Sequence, residues 1–266
     1  MRLSFEEVSY YYDKNRALDS VTFHTDSGEI VGLIGENGAG KSTTIKIAVR
    51  YLVPAEGRVR LDDKDISDIK LDQYPVSYIP DSPVFYEELS LLEHLQFTKA
   101  MFPDNKILID EVINQFELRE HIHKIPSALS KGTRQKLMIA MAIMRTYDVL
   151  IADEPFSGLD PRQISVLKKL LIQQKENGKS VLLSSHLLDV VENICDRYDW
   201  SVDCSYLFCG RIISQYGVLN GRRTDFRKIQ MVYSFADRIL ESHISDVCRF
   251  TCSCCKNQFS DHSLCI

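Results

Sequence analysis

Hydrophobic residues along this chain follow two periods, and the switches between them predict its elements. Over residues 3–23, and again over 57–66, apolar and polar residues alternate around the turn-forming Asp13-Lys14-Asn15 and Asp62-Asp63, which predicts antiparallel strands. Three short runs are apolar almost throughout: Ile30-Val31-Gly32-Leu33-Ile34, Val149-Leu150-Ile151-Ala152 and Val181-Leu182-Leu183-Ser184. Strands covered on both faces read this way, so these runs predict a central parallel sheet. After the first of them, Ile45, Ala48, Val49 and Leu52 recur at helical spacing until Pro54. Residues 89–142 are largely helical in pattern, with breaks at Pro103 and Pro126. There is no internal repeat and no low-complexity tract.

With 266 residues, the chain is long enough for one large domain with a subdomain. A net charge of −5 leaves no basic footprint, so no nucleic acid is expected as a partner. No window reaches the apolar length of a membrane span. The start, Met1-Arg2-Leu3-Ser4-Phe5-Glu6-Glu7, is too polar for a signal peptide. The expected setting is therefore the reducing cytoplasm, where structural disulfides are not expected. All eight cysteines fall at or after Cys195, and the texture of the chain changes near Tyr198.

Gly35-Glu36-Asn37-Gly38-Ala39-Gly40-Lys41-Ser42 stands between a predicted buried strand and a predicted helix and fits G-x-x-x-x-G-K-[ST]. Glycines at this spacing let backbone N–H groups close around a polyphosphate, and the helix start adds partial positive charge. Lys41 would reach the β- and γ-phosphates, and the Ser42 hydroxyl would ligate Mg²⁺. Asn37, Ala39 and Thr43 complete the stretch expected to touch the nucleotide. Asp153-Glu154 follow the second apolar run directly, where Asp153 can hold the Mg²⁺ shell and Glu154 can orient or deprotonate a water. Leu129-Ser130-Lys131-Gly132-Thr133-Arg134-Gln135 opens a helix that leads into that acidic strand; read alone, Ser130 is an N-cap.

In this order, the 129–135 stretch resembles the LSGGQ signature of ABC ATPases. Ser157-Gly158-Leu159-Asp160 looks like that family's D-loop, and Ser184-Ser185-His186 like its switch histidine. The resemblance covers about residues 1–198 and is nearest to stand-alone ATPase subunits of bacterial ABC exporters. It implies an α/β P-loop NTPase with a mostly parallel central sheet, an N-terminal antiparallel β subdomain and a helical subdomain over about residues 82–145. The ATPase domain would span 1–221, with an atypical cysteine-rich tail over 222–266. ATP and Mg²⁺ are the implied ligands. Glu154, His186 and Lys41 would be catalytic. Tyr12 would stack on adenine, with Tyr11 the alternative because a tyrosine triplet has no unique register. Ser130, the Gly132 backbone and their helix start would face the γ-phosphate held by a second protomer, in a head-to-tail dimer. The remaining partner would be a separate membrane permease, which would hold the chain at the inner face of the cell membrane.

Three departures from the family pattern stand out. Asp81 occupies the place of the Q-loop glutamine, where its carboxylate could reach Mg²⁺ or the attacking water while adding negative charge beside a polyphosphate. Lys131 and Thr133 replace a glycine and a glutamine of the signature. Beyond Asn220 nothing matches. Cys248, Cys252, Cys254, Cys255, His262 and Cys265 fit none of the usual paired zinc spacings, leaving an atypical tail, a zinc site or an altered reading frame as readings. Phe85, Tyr86, Leu89, Leu91, Leu92 and Phe97 would either contact the permease or fill the helical core. A non-transport ABC ATPase acting on DNA or ribosomes is the alternative function. A regulatory module that holds ATP without turnover is a third reading, against which Lys41, Glu154 and His186 argue.

Overall fold

The N-terminal alternation becomes a hairpin, in which β1 (Leu3–Tyr12) and β2 (Asn15–Thr25) pair antiparallel across a tight turn. Asp13 takes the positive φ that this turn needs (53°), a conformation that aspartate tolerates. The computed structural model describes residues 1–35 and 37–200, with Leu188, Asp189 and residues 198–200 described by backbone alone. After the hairpin come β3 (Ile30–Ile34), α1 (Lys41–Ala48), β4 (Glu56–Leu61), β5 (Lys64–Asp65) and β6 (Val76–Ile79). Strands β2-β1-β4-β5 form one antiparallel sheet in that order.

Next come α2 (Leu91–Met101), α3 (Ile109–Gln115) and α4 (Lys131–Ile143), then β7 (Val149–Ala152), α5 (Pro161–Glu176), β8 (Ser180–Ser185), α6 (Leu188–Val191) and β9 (Arg197–Trp200). The second sheet is parallel, in the order β6-β7-β8-β3-β9. The three apolar runs are its inner strands β3, β7 and β8, all fully buried. Alternate side chains leave by opposite faces. Ile30, Ile34, Leu150, Ala152, Val181 and Leu183 join one core with residues of α2, α3, α4 and α5. Val31, Leu33, Val149, Ile151 and Leu182 join another with Leu3, Phe5 and Val8 of β1 and Ile45, Ile47 and Ala48 of α1.

Two expectations change in detail. The helical spacing after Gly40 predicts a helix to Pro54, but α1 ends at Ala48. Arg50 turns left-handed (φ 64°), and the amides of Tyr51 and Leu52 both donate to the Lys46 carbonyl, closing the helix early. Leu52 still packs on the core, so its spacing reflects burial rather than helix. The helical zone starts at Leu91, where Ser90 and Glu93 form a capping box; residues 82–90 are not helical. Pro126 begins a single 3₁₀ turn ahead of α4. β9 pairs with β3 across the position where the chain's texture changes, so the sheet continues through Tyr198. The 221/222 boundary and the cysteine-rich tail lie outside the described residues. Among those residues no helix is long and apolar enough to cross a membrane.

Because Leu150 is fully buried in β7 and Leu71 is 76% exposed, their truncations should differ sharply. Leu150→Ala should cost about 2–5 kcal/mol of unfolding free energy, whereas Leu71→Ala should stay within about 0.5 kcal/mol. Urea denaturation of the two variants checks this; equal losses would mean that β7 is not a core strand.

Candidate active site

The glycine loop leaves β3 and enters α1 through Gly40, which has φ 87° as the helix N-cap. A Cβ added to Gly40 would lie 2.7 Å from Leu18 Cδ2 and 2.8 Å from the Ala17 carbonyl oxygen. Backbone conformation and the close approach of β2 therefore both demand glycine here. Lys41 is only 6% exposed; its ammonium donates to the Gly35 carbonyl oxygen at 2.6 Å and stands 3.9 Å from Glu154 Oε1.

At the end of β7, Asp153 Oδ1 accepts from the Ser184 hydroxyl at 2.6 Å and from the Ser42 hydroxyl at 3.3 Å. The Ser184 oxygen also accepts the Glu154 amide at 2.9 Å, so one hydroxyl ties both acidic residues to β8. Glu154 has φ 46°, an uncommon conformation for a side chain of this size. Its Oε2 lies 2.9 Å from His186 Nδ1 and accepts the His186 amide at 3.4 Å. The carboxylate thus sits between a buried ammonium and an imidazole. Nearby, burial pushes the Tyr78 hydroxyl well above its ordinary pKa, and the negative charges of Asp153 and Asp81 add to this. Tyr78 is therefore a neutral phenol here.

These groups open onto a cavity of about 520 Å³. The hairpin supplies Tyr12, Asn15, Arg16 and Ala17. The loop and helix start supply residues 37–43. The ends of β6, β7 and β8 supply Asp81, Glu154, Ser157 and His186. Ligands of open α/β sheets bind in this position, beyond the carboxyl ends of the strands.

Tyr12 lines the cavity, whereas Tyr11 is not among the lining residues and has the Arg16 guanidinium 5.8 Å from its ring centre. Gly35 contributes its carbonyl to Lys41 without lining the cavity, and Asp153 reaches it through Ser42. Ser130 and Gly132 are not among the lining residues; Ser130 caps α4 by accepting the Thr133 amide at 3.1 Å. Asn15, Arg16 and Ala17 were not anticipated from the sequence. The hairpin pattern held the signal, because β2 returns with Asn15 opposite Tyr12 and Arg16 opposite Tyr11. For the bridging role of Ser184 the sequence carries no signal.

Residues 18–157 match the family model described as ABC transporter. The chain belongs to this family. It is 37% identical over 201 residues to the ABC-type transporter ATP-binding protein EcsA of Bacillus subtilis (strain 168), covering 74% of this chain and 81% of that protein. It is 30% identical over 203 residues to the lipopolysaccharide export system ATP-binding protein LptB of Haemophilus influenzae, covering 73% of this chain and 84% of that one. A solved ATP-binding subunit of an ABC transporter superposes with a TM-score of 0.74 at 31% identity, covering 89% of this chain and all of that one. The chain is accordingly an ABC ATP-binding subunit with the α/β P-loop fold of ABC cassettes, and its chemistry is ATP hydrolysis.

Gly40→Ala should leave the fold intact while weakening MgATP binding by about tenfold or more, since it forces both a clash with Ala17 and a left-handed alanine. Isothermal titration with circular dichroism as the folding control measures this; unchanged affinity would show that the loop does not hold the nucleotide.

Proposed function

We propose that this ABC ATPase powers a separate membrane permease, with export as the favoured direction. What carries the hydrolytic part is the convergence on one cavity of Lys41, the Ser42–Asp153 pair and the Glu154–His186 pair. In this reading the amides of residues 37–43 and the Lys41 ammonium hold the β- and γ-phosphates. Tyr12 stacks on the adenine. Glu154 orients the attacking water or takes its proton, and His186 keeps that carboxylate aimed.

A hydroxyl and a carboxylate oxygen side by side, Ser42 Oγ and Asp153 Oδ1, suit Mg²⁺, which takes its other ligands from phosphates and water. Asp81 lines the same cavity and adds a third oxygen donor to the site. When bound, the cation would neutralise charge on the β- and γ-phosphates. Ser130 and Gly132 stand outside the cavity of their own chain. Their assignment is to the nucleotide of a second protomer, in a head-to-tail dimer.

Support for the permease comes from an exposed aromatic patch. Tyr86 is 58% and Phe97 44% exposed, with their rings 5.7 Å apart, whereas Leu91 of the same zone is fully buried. On this reading the paired rings are open to contact with the permease, and the chain sits peripherally on the inner face of the membrane, bound through that permease. The name of the export-system relative favours export. A net charge of −5 speaks against the alternative of action on DNA or ribosomes. The ATPase domain is assigned to 1–221 and a separate tail to 222–266.

Glu154→Gln should retain MgATP binding but slow turnover by about a hundredfold or more, because the group that handles water is lost while the phosphate contacts remain. With ATP the variant should elute as a dimer in size-exclusion chromatography. Fast turnover would move the catalytic role elsewhere, with Asp81 the first residue to test.

A further inference from the structure

The first turns of α4 grip the loop that follows Glu154, and Lys131 is central to that grip. Lys131 sits in the first turn of the helix, where no acidic residue accompanies it and where the helix dipole disfavours a cation. Its stem lies across Gly158. Although Lys131 is exposed, a Cβ added at Gly158 would fall 2.7 Å from its Cε, 3.0 Å from its Cδ and 3.1 Å from its Nζ. Gly158 is left-handed (φ 76°), so the turn uses a residue that both permits this backbone and leaves room for the lysine stem. Two neighbouring contacts complete the grip. A Cβ added at Gly132 would lie 3.0 Å from Gln163 Oε1. The buried Gln135 donates from Nε2 to the Pro155 carbonyl oxygen at 3.2 Å. Residue 155 is thus bonded to the first turns of α4, and residues 158 and 163 lie close against them.

A single turn separates Glu154 from Gly158. The Ser157 amide donates to the Glu154 carbonyl oxygen at 3.0 Å, and Ser157 lines the cavity beside Glu154. We infer that Lys131 is a positioning residue, whose aliphatic stem clamps Gly158 and so fixes Ser157 and the Glu154 carboxylate against the cavity. On this account the lysine that replaces a signature glycine acts through its methylenes, within its own chain. The inference rests on the reading of Glu154 as the group that handles water.

The full chain should be compared with Lys131→Ala, Lys131→Met and Glu154→Gln. Lys131→Ala should lower kcat for MgATP about tenfold with KM within about twofold, because a loosened loop misplaces a catalytic group while Lys41 and the glycine loop of the same chain still hold the phosphates. Lys131→Met keeps a stem of similar length without the charge and should restore kcat to within about twofold of the native chain. Amide hydrogen exchange over residues 156–160 should quicken about tenfold in Lys131→Ala and stay native in Lys131→Met. Native exchange in Lys131→Ala, or a Lys131→Met variant as impaired as Lys131→Ala, would overturn the clamp. Rapid turnover in Glu154→Gln would instead overturn the reading of Glu154, while the exchange data would still decide the clamp.

Discussion

Ala152 pairs with Leu183 across β7 and β8, and this register decides where the charged groups of the site end up. One step further along each strand, Asp153 meets the Ser184 hydroxyl, which also takes the Glu154 amide. Just past the end of β8, His186 meets the Glu154 carboxylate. β3 pairs with the other side of β8 with Ile34 opposite Ser185, and this brings the glycine loop to the same end of the sheet. A slip of one residue would turn every side chain of a strand to the opposite face. Both faces here are buried, so the sheet resists such a slip.

Hydrogen bonding explains how the carboxyl ends of these inner strands tolerate charge. Asp153 is buried, but its carboxylate accepts two hydroxyl hydrogen bonds, and buried carboxylates persist when they are satisfied in this way. Lys41 is as buried, and it is satisfied by a backbone carbonyl and by the proximity of Glu154. Removing Glu154 would therefore leave a poorly solvated cation, which is costlier than the loss of a surface ion pair.

The remaining site groups are on loops, and the structure holds each loop by a different device. The hairpin carrying Tyr12 is tied by its ladder to β2. The loop after Glu154 is held to α4 by the hydrogen bond from Gln135 to the Pro155 carbonyl oxygen. The segment carrying Tyr86 is held by the buried His94, whose Nε2 accepts the Tyr86 amide at 3.1 Å while Nδ1 faces the Ser90 carbonyl oxygen at 2.9 Å. These contacts tie the Tyr86 segment to the start of α2.

What the sequence determined by itself was local. The glycine loop, the acidic pair, the three buried strands, the hairpin and the Ser130 cap of α4 were all legible, because each rests on residue types at fixed short spacing or on periods of 2 and 3.6. Even the early end of α1 is a local event at Arg50, though a left-handed arginine leaves no mark in a sequence. Only the tertiary structure decided what depends on residues far apart in the chain: that β3 lies between β8 and β9, that Tyr12 rather than Tyr11 reaches the cavity, that Arg16 accompanies it, that Ser184 joins the two acidic residues, and that Lys131 lies on Gly158. Strand order and register arise from the simultaneous burial of many side chains, and no single segment carries that information.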